Sequence, residues 1–425
     1  MNIGVVGMGK LGLPCAVAMA MKGHQVMGFD CDPRQMSTEA REYLETGPDG
    51  HSPFNPFLAA SDLAFGSLPE VADFAEIIFV AVQTPHQPEF EGVDRIPAER
   101  VDFDYQFLER AIGDLAKVIT KETVVVVVST VLPGTMRRRI MPLAHDKMKL
   151  CYNPFFIAMG STMKDFLYPE FVLFGVHDDG AAKKAAALYR TLTKAPIYLT
   201  SVENAELIKV SYNTYIGMKI VFANTLMEMC HKLPGTDVDQ VTDALKLATR
   251  RLISGSYMSG GMGDGGGCHP RDNIAMSWLA RTLGLSCDFF DSLMMAREKQ
   301  TEWLADLMCE IDLPKAILGY SFKPDTNLTV GSPALLLKSI LEERGESVFI
   351  YDPLVDEETI DVSRLDPMVF LIGTKHAAFR HLTFPPGSVV LDPWRFITNT
   401  QADVRVVALG IGDSPNDGVR GIPGR

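Results

Sequence analysis

The chain is short of positive charge, and that shortage narrows the field first. Forty Lys and Arg against 53 Asp and Glu give a formal net charge of −13 over 425 residues. A surface of that sign has no general electrostatic affinity for nucleic acid or anionic membrane, so an anionic ligand must be met by individually placed residues. Long apolar runs are missing too. None reaches the ~18 residues that span a bilayer, and strand-like Ile3-Gly-Val-Val6 starts so early that no signal peptide is expected. Cysteine is sparse: seven residues, an odd number, with no metal-ligand spacing. They read as reduced, mostly buried thiols, which implies a reducing, cytoplasmic setting and no metal site. The sequence has no internal repeat and no long low-complexity segment. What remains is an ordinary globular composition, 47% hydrophobic and 22% charged, with length enough for two or three domains.

Short β-branched runs alternate with helical stretches over the first 125 or so residues: Ile3 to Val6, Gln25 to Asp30, Ile77 to Val82 and Thr123 to Ser129. Continuous apolar strands separated by helices indicate a parallel sheet covered on both faces. After Asn153-Pro154 the pattern loosens, and from Asn204 to Thr249 and Asn273 to Cys309 it is mainly helical. Alternation returns with Lys315 to Tyr320, Ser347 to Asp352, Met368 to Gly373 and Val389 to Asp392. The expected fold class is α/β, two Rossmann-like doubly wound domains joined by a central helical region, divided as 1–200, 201–305 and 306–425. The stretch from Gly410 to Arg425, rich in Gly, Pro, Asp and Asn, reads as a loose tail.

Three patterns carry chemistry. The loop Gly7-Met-Gly9-Lys10-Leu11-Gly12 follows a predicted strand, opens a predicted helix, and is followed eighteen residues after Gly12 by Asp30 at the end of the next strand. That is the full context of a dinucleotide fingerprint. Glycine lets the backbone approach a pyrophosphate at a helix N-terminus, while Asp30 accepts from ribose hydroxyls and repels a 2′-phosphate, so NAD is favoured over NADP. Lys209 and Asn213 lie four apart on one predicted helical face. Together they suit an oxygen that gains charge; taken alone, the same pair also fits a solvated lysine beside an unrelated asparagine. Cys268 stands in Gly265-Gly-Gly-Cys268-His269-Pro-Arg271-Asp272, and its thiol, read as lying in a glycine-rich loop, suits covalent catalysis. Asp272, four residues on, is a candidate for orienting water.

Taken together, the Rossmann start, Gln83-Thr84-Pro85, Ser129-Thr130-Val131, Asn153-Pro154 with Gly160-Ser161, Glu206-Leu-Ile-Lys209-x-x-x-Asn213, the Cys268 motif, Phe322-Lys323-Pro-Asp-Thr326, Ser332-Pro-Ala and Tyr351-Asp-Pro resemble the UDP-glucose and GDP-mannose dehydrogenase family, from Met1 to about Ile397. The resemblance implies four-electron oxidation of a nucleotide-sugar primary alcohol to the uronate through a Cys268 thioester, feeding polysaccharide or secondary-metabolite biosynthesis. It implies NAD on the amino-terminal domain, nucleotide sugar on the carboxyl one, and a homodimer built around a long helix. Cys268 is then the nucleophile, Lys209 and Asn213 stabilise the oxyanion, and Asp272 with Thr130 handles water. Thr84, Pro85 and Arg271 join the glycine loop on the cofactor. Phe155, Phe156, Gly265, His269, Phe322 and Lys323 join Lys209 and Asn213 on the substrate.

Several positions depart from the family pattern. Phe155 and Met159 stand where the family has glutamates, the first of them assigned to thioester hydrolysis. Asn327-Leu-Thr-Val330 replaces a segment that usually carries an arginine, and His269 and Arg271 replace an apolar or aromatic residue and a lysine. These changes leave two other readings open: a dehydrogenase that stops early, at the aldehyde, or takes an unusual nucleotide-linked alcohol, or else a nucleotide-binding homologue without turnover.

Overall fold

The computed structural model of the chain describes residues 1–95, 97–232, 234–249, 259–263, 265–282, 284, 288–399 and 401–411. The chain divides into two compact units, one built from Met1–His86 and Asp102–Tyr212, the other from Gln87–Val101 and the residues from Asn213 onward.

The first unit is an eight-stranded sheet. Its strands are β1 (Asn2–Val6), β2 (Gln25–Phe29), β3 (Ala64–Phe65), β4 (Ile77–Val80), β5 (Thr123–Val127), β6 (Met148–Tyr152), β7 (Val172–Val176) and β8 (Ile197–Ser201). They lie in the order β3-β2-β1-β4-β5-β6-β7-β8, parallel throughout except where β7 runs against β6. All residues of β4 and β5 are buried, as continuous apolar strands must be when helices cover both faces. The order reverses direction between β1 and β4. In such sheets ligands bind beyond the carboxyl ends of the strands at this switch, and the glycine loop follows β1 there.

The second unit carries a five-stranded, wholly parallel sheet of β9 (Lys315–Leu318), β10 (Val348–Tyr351), β11 (Val369–Ile372), β12 (Val389–Asp392) and β13 (Arg405–Ala408), in the order β10-β9-β11-β12-β13. Its core also takes in Met227, Cys230 and Val238 from the helical segment and Leu304, Ala305 and Met308 from the helix Phe289–Cys309. The fold is thus α/β with two Rossmann-like sheets and a helical region between them in sequence. A 31-residue central helix, Val202–Lys232, begins in the first unit and ends in the second.

Two expectations change. Cys268 is not in a loop: it is the first residue of the helix Cys268–Thr282, so Cys268 and Asp272 stand one helical turn apart. Pro270 is compatible with this, because proline in a first turn removes an N–H that has no helical partner. The supposed loose tail also starts as packed chain. The Gly410 carbonyl accepts from Val238 N at 2.9 Å and Ile411 bridges Asp237, while the rest of that stretch lies outside the described residues.

Candidate active site

In the first unit the glycine loop is shaped by contacts that a side chain would block. Gly7 has a φ of +96°, and a Cβ there would fall 2.7 Å from the Ala81 carbonyl oxygen; a Cβ on Gly12 would fall 1.8 Å from the Gly7 carbonyl oxygen. At Gly9 an added Cβ would meet nothing within 4 Å. The loop is therefore tight on its inner side and open on its outer side, as a phosphate cradle must be. Asp30 fixes the loop to the end of β2: Oδ2 accepts from Met8 N at 2.7 Å and Oδ1 from Asp32 N at 2.9 Å. A carboxylate has about four acceptor sites, so these two bonds leave capacity for ribose hydroxyls. Lys10 lies with its ammonium 5.8 Å from the Tyr43 ring centroid, and burial lowers its pKa. Leu11 leads directly into the helix Gly12–Met21. The residues present fit a dinucleotide.

The loop after β5 is tied down beside this. Ser129 Oγ donates to the Val82 carbonyl at 2.5 Å, Thr84 Oγ1 to the Thr130 carbonyl at 2.7 Å, and the Pro85 carbonyl accepts from Asp104 N at 2.8 Å. Thr84, Pro85 and Thr130 are thereby brought together. Farther on, Phe156 packs 4.7 Å from both Phe171 and Tyr212, with the Lys209 ammonium 5.2 Å from the Phe156 centroid. That placement suits a cation held over an aromatic face. Phe155 points elsewhere. Its ring packs 5.3 Å from Phe166 and 6.4 Å from Phe79 at the edge of the first core, and it stays partly exposed, lining a small cavity with Phe156.

In the second unit Cys268 is exposed, at the N-terminus of its helix. Beneath it lies a buried polar cluster. Asp272, 0% exposed, accepts from Asn213 Nδ2 at 2.5 Å through Oδ2 and from Arg271 Nε at 2.9 Å through Oδ1. Burial opposes the charge on Arg271, but Asp272, then Cys268, and the hydrogen bond to Asp272 hold its pKa above the ordinary value. Asp272 therefore orients the Asn213 amide and the Arg271 guanidinium, a fixed arrangement that spacing alone did not reveal. It also places Arg271 within electrostatic reach of the thiol, a role additional to the cofactor contact expected of it.

The glycines before Cys268 are packed from outside. An added Cβ on Gly265 would come 2.6 Å from the His269 ring, one on Gly266 2.5 Å from Phe322 and one on Gly267 2.8 Å from Val330. His269 is buried against Gly265, so its first job is to shape the loop rather than to reach a ligand. Phe322 supports the same loop, with the Lys323 ammonium 5.4 Å from its ring centroid. Val330, which replaces the family's arginine segment, is half exposed beside Gly267. Sequence reading missed Glu206 altogether as a functional residue. Its carboxylate is wholly buried and accepts from Gly134 N at 2.5 Å and Met136 N at 2.8 Å. Its place one turn before Lys209 was the available signal. Among the described residues no group of three His, Cys, Asp or Glu is arranged to hold a metal, and no helix is long and apolar enough to cross a membrane.

A dinucleotide cradle in one Rossmann-like sheet, a second such sheet, and an exposed cysteine above a fixed Asn-Asp-Arg cluster define a dehydrogenase of the two-Rossmann type. Comparison with known proteins makes the class specific. Residues 1–193, 203–298 and 316–399 match the NAD binding, central and UDP binding domains of the UDP-glucose/GDP-mannose dehydrogenase family. GDP-mannose 6-dehydrogenase of Pseudomonas putida is 30% identical over 374 residues, covering 83% of this chain and 81% of its own. UDP-glucose 6-dehydrogenase of Rickettsia bellii is 26% identical, covering 87% and 85%. A UDP-glucose dehydrogenase structure from Pyrobaculum islandicum superposes with a TM-score of 0.82 at 26% identity, covering 97% and 98%. The chain belongs to the UDP-glucose/GDP-mannose dehydrogenase family, and its cofactor is NAD.

Proposed function

We propose that the chain oxidises the primary alcohol of a nucleotide-linked sugar to the carboxylic acid, with Cys268 forming a thioester on the way. The carrying observation is the exposed thiol at a helix N-terminus with Asn213, Asp272 and Arg271 locked beside it. A thiol that adds to an aldehyde gives an adduct that can donate a second hydride at the same site and leaves a thioester that water opens. Bound NAD supplies the acceptor for the hydride lost at each oxidation. Lys209 and Asn213 supply a cation and an oriented amide for the oxyanion, while Thr130 and Asp272 are the groups assigned to the water that opens the thioester. Gly7, Gly9, Gly12 and Asp30 hold the cofactor through backbone approach and ribose hydrogen bonds. The UDP binding domain match supports a nucleotide-bearing substrate, and Lys323 and Phe322 of the second unit are the contacts proposed for it. The compartment proposed is a reducing cytoplasm, where Cys268 stays a thiol.

A second reading stops at the aldehyde, and one observation favours it. Phe155 occupies the hydrolytic glutamate's position and its ring packs against Phe166 at the edge of the first core, so no carboxylate is supplied from there. Screening UDP-, GDP-, CDP- and dTDP-sugars for NADH formation identifies the substrate class. Counting NADH per substrate then separates the readings: two supports the acid, one the aldehyde. No NADH with any nucleotide-linked alcohol would defeat both.

A further inference from the structure

Glu206 belongs to the motif that leads to Lys209, yet both of its carboxylate oxygens are engaged by backbone N–H groups. It is 0% exposed, and each oxygen accepts one N–H, from Gly134 and from Met136. These two amides open the turn that follows Thr130, where Gly134 has a φ of +86° and the short π-type helix Met136–Ile140 begins. The same segment is held on its other side by the Tyr105 hydroxyl, 3.3 Å from Leu132 N and from Thr135 Oγ1. We infer that Glu206 is a positioning residue: a carboxylate latch that fixes the Thr130 segment against the helix turn bearing Lys209. The inference rests on the roles proposed above for Thr130 and Lys209.

A latch of this kind depends on charge. An ionised carboxylate accepts on both oxygens, whereas a protonated one turns an O–H toward one of the two amides and can no longer accept both. Burial raises the pKa of Glu206 to about 7, against the lowering effect of the Met136 and Gly134 amides; Glu203 adds to the rise and Arg138 opposes it. Arg137, paired with Glu203 at 2.5 Å, also interacts electrostatically with Glu206, and His177 acts on Glu203. The latch is therefore closed above about pH 7 and opens below it. Global stability runs the other way. A carboxyl whose pKa is raised in the fold binds its proton more tightly there than in the unfolded chain, so this group favours folding as pH falls. Local loosening at low pH is then distinguishable from general unfolding.

Amide hydrogen exchange on the full chain, followed by mass spectrometry from about pH 8 to about pH 6 and corrected for intrinsic exchange, tests the latch. Protection of the peptide spanning Leu132 to Ile140 is expected to fall about tenfold, the worth of one charge-assisted hydrogen bond, while β1 keeps its protection. Glu206→Gln cannot titrate, and its protection should be low and independent of pH. Flat protection in the natural chain, or the same pH dependence in the Gln variant, overturns the inference. Should the variant fail to fold, the natural chain alone decides. In steady-state assays with NAD and UDP-glucose or GDP-mannose as probes, Glu206→Gln should lower kcat about tenfold with KM for NAD unchanged; an unchanged kcat contradicts the positioning role. If the natural chain turns over no nucleotide sugar, the proposed function fails, and the exchange experiment still decides the latch.

Discussion

Cys268, Asp30 and Phe155 give the account its sharpest tests at the residue scale. Cys268→Ser keeps the size of the first residue of its helix, so folding and NAD binding, read by calorimetry, should be retained. Acid formation should fall by several orders of magnitude, because a hydroxyl is a far weaker nucleophile and forms a poor adduct for the second oxidation. A Ser variant that keeps about a tenth of the rate or more would exclude the thioester. Asp30 already accepts from Met8 N and Asp32 N, so a 2′-phosphate brought beside it meets a fixed negative charge, at a cost on the order of 1–3 kcal/mol. NAD should bind about tenfold or more tightly than NADP, and Asp30→Ala should narrow the gap in a direct titration. Phe155→Glu looks from the sequence like a restoration of the missing hydrolytic acid, but Phe166, Phe79 and the first core surround that ring. The substitution should instead destabilise the chain by about 1–3 kcal/mol, because it sets a carboxyl into half-buried aromatic packing. Burial would raise the new carboxyl's pKa, so the variant should lose stability as pH rises, the opposite of a solvated glutamate. A melting temperature unchanged by Phe155→Glu would show that the site is open to solvent.

At the scale of elements, the same device occurs at the start of both sheets. Gly7 N donates to the Phe29 carbonyl and Met8 N to Asp30; Gly319 N donates to the Tyr351 carbonyl and Tyr320 N to Asp352, each at 2.7–2.9 Å. In both, the residue two beyond the aspartate donates back to its Oδ1. The difference lies in what else the aspartate holds. Asp352 also takes Ser321 N and His376, and although burial opposes its charge, His376 and the Ser321 and Leu354 amides bring its pKa down to about 2. Asp30 accepts from Met8 N and Asp32 N, which leaves it acceptor capacity for a cofactor on the first sheet. Gly7→Ala should abolish NAD binding while leaving the second unit's hydrogen exchange unchanged; retained binding would contradict the cradle. The strands that sequence reading found are those with continuous β-branched or apolar runs, such as Val124 to Val127. Missed were β3, β6, β7, β8 and β13: β3 is two residues long, β8 is an edge strand with Tyr198 and Leu199 exposed, and β7, though apolar and buried, lies in the stretch after Asn153 where the alternation loosens. The glycine loop was legible because its chemistry is local. The Asn213-Asp272-Arg271 cluster was only half legible: spacing offered Asp272 as a partner for water, whereas its commitment to a residue 59 positions away is tertiary. Glu206 was legible only as a member of the Lys209 motif; its partners, backbone amides 70 and 72 positions away, are tertiary.

For the whole molecule, the part of the central helix in the second unit leaves Tyr215 and Phe222 40% and 50% exposed, and their spacing of seven puts them on one helical face. An apolar stripe of that length suits a second copy of the chain, the homodimer that the family resemblance implies. Light scattering should report a dimer, and Phe222→Glu should shift it toward monomer without changing the melting of isolated subunits; a natural chain that is monomeric at high concentration would remove the proposal. The central claim concerns the reaction itself, and the ratio of NADH formed to nucleotide sugar consumed tests it most directly. The account predicts two NADH per substrate, with an acyl group recoverable on Cys268 after acid quench during turnover. One NADH per substrate, with aldehyde as the only product and Cys268 unmodified throughout, would contradict it.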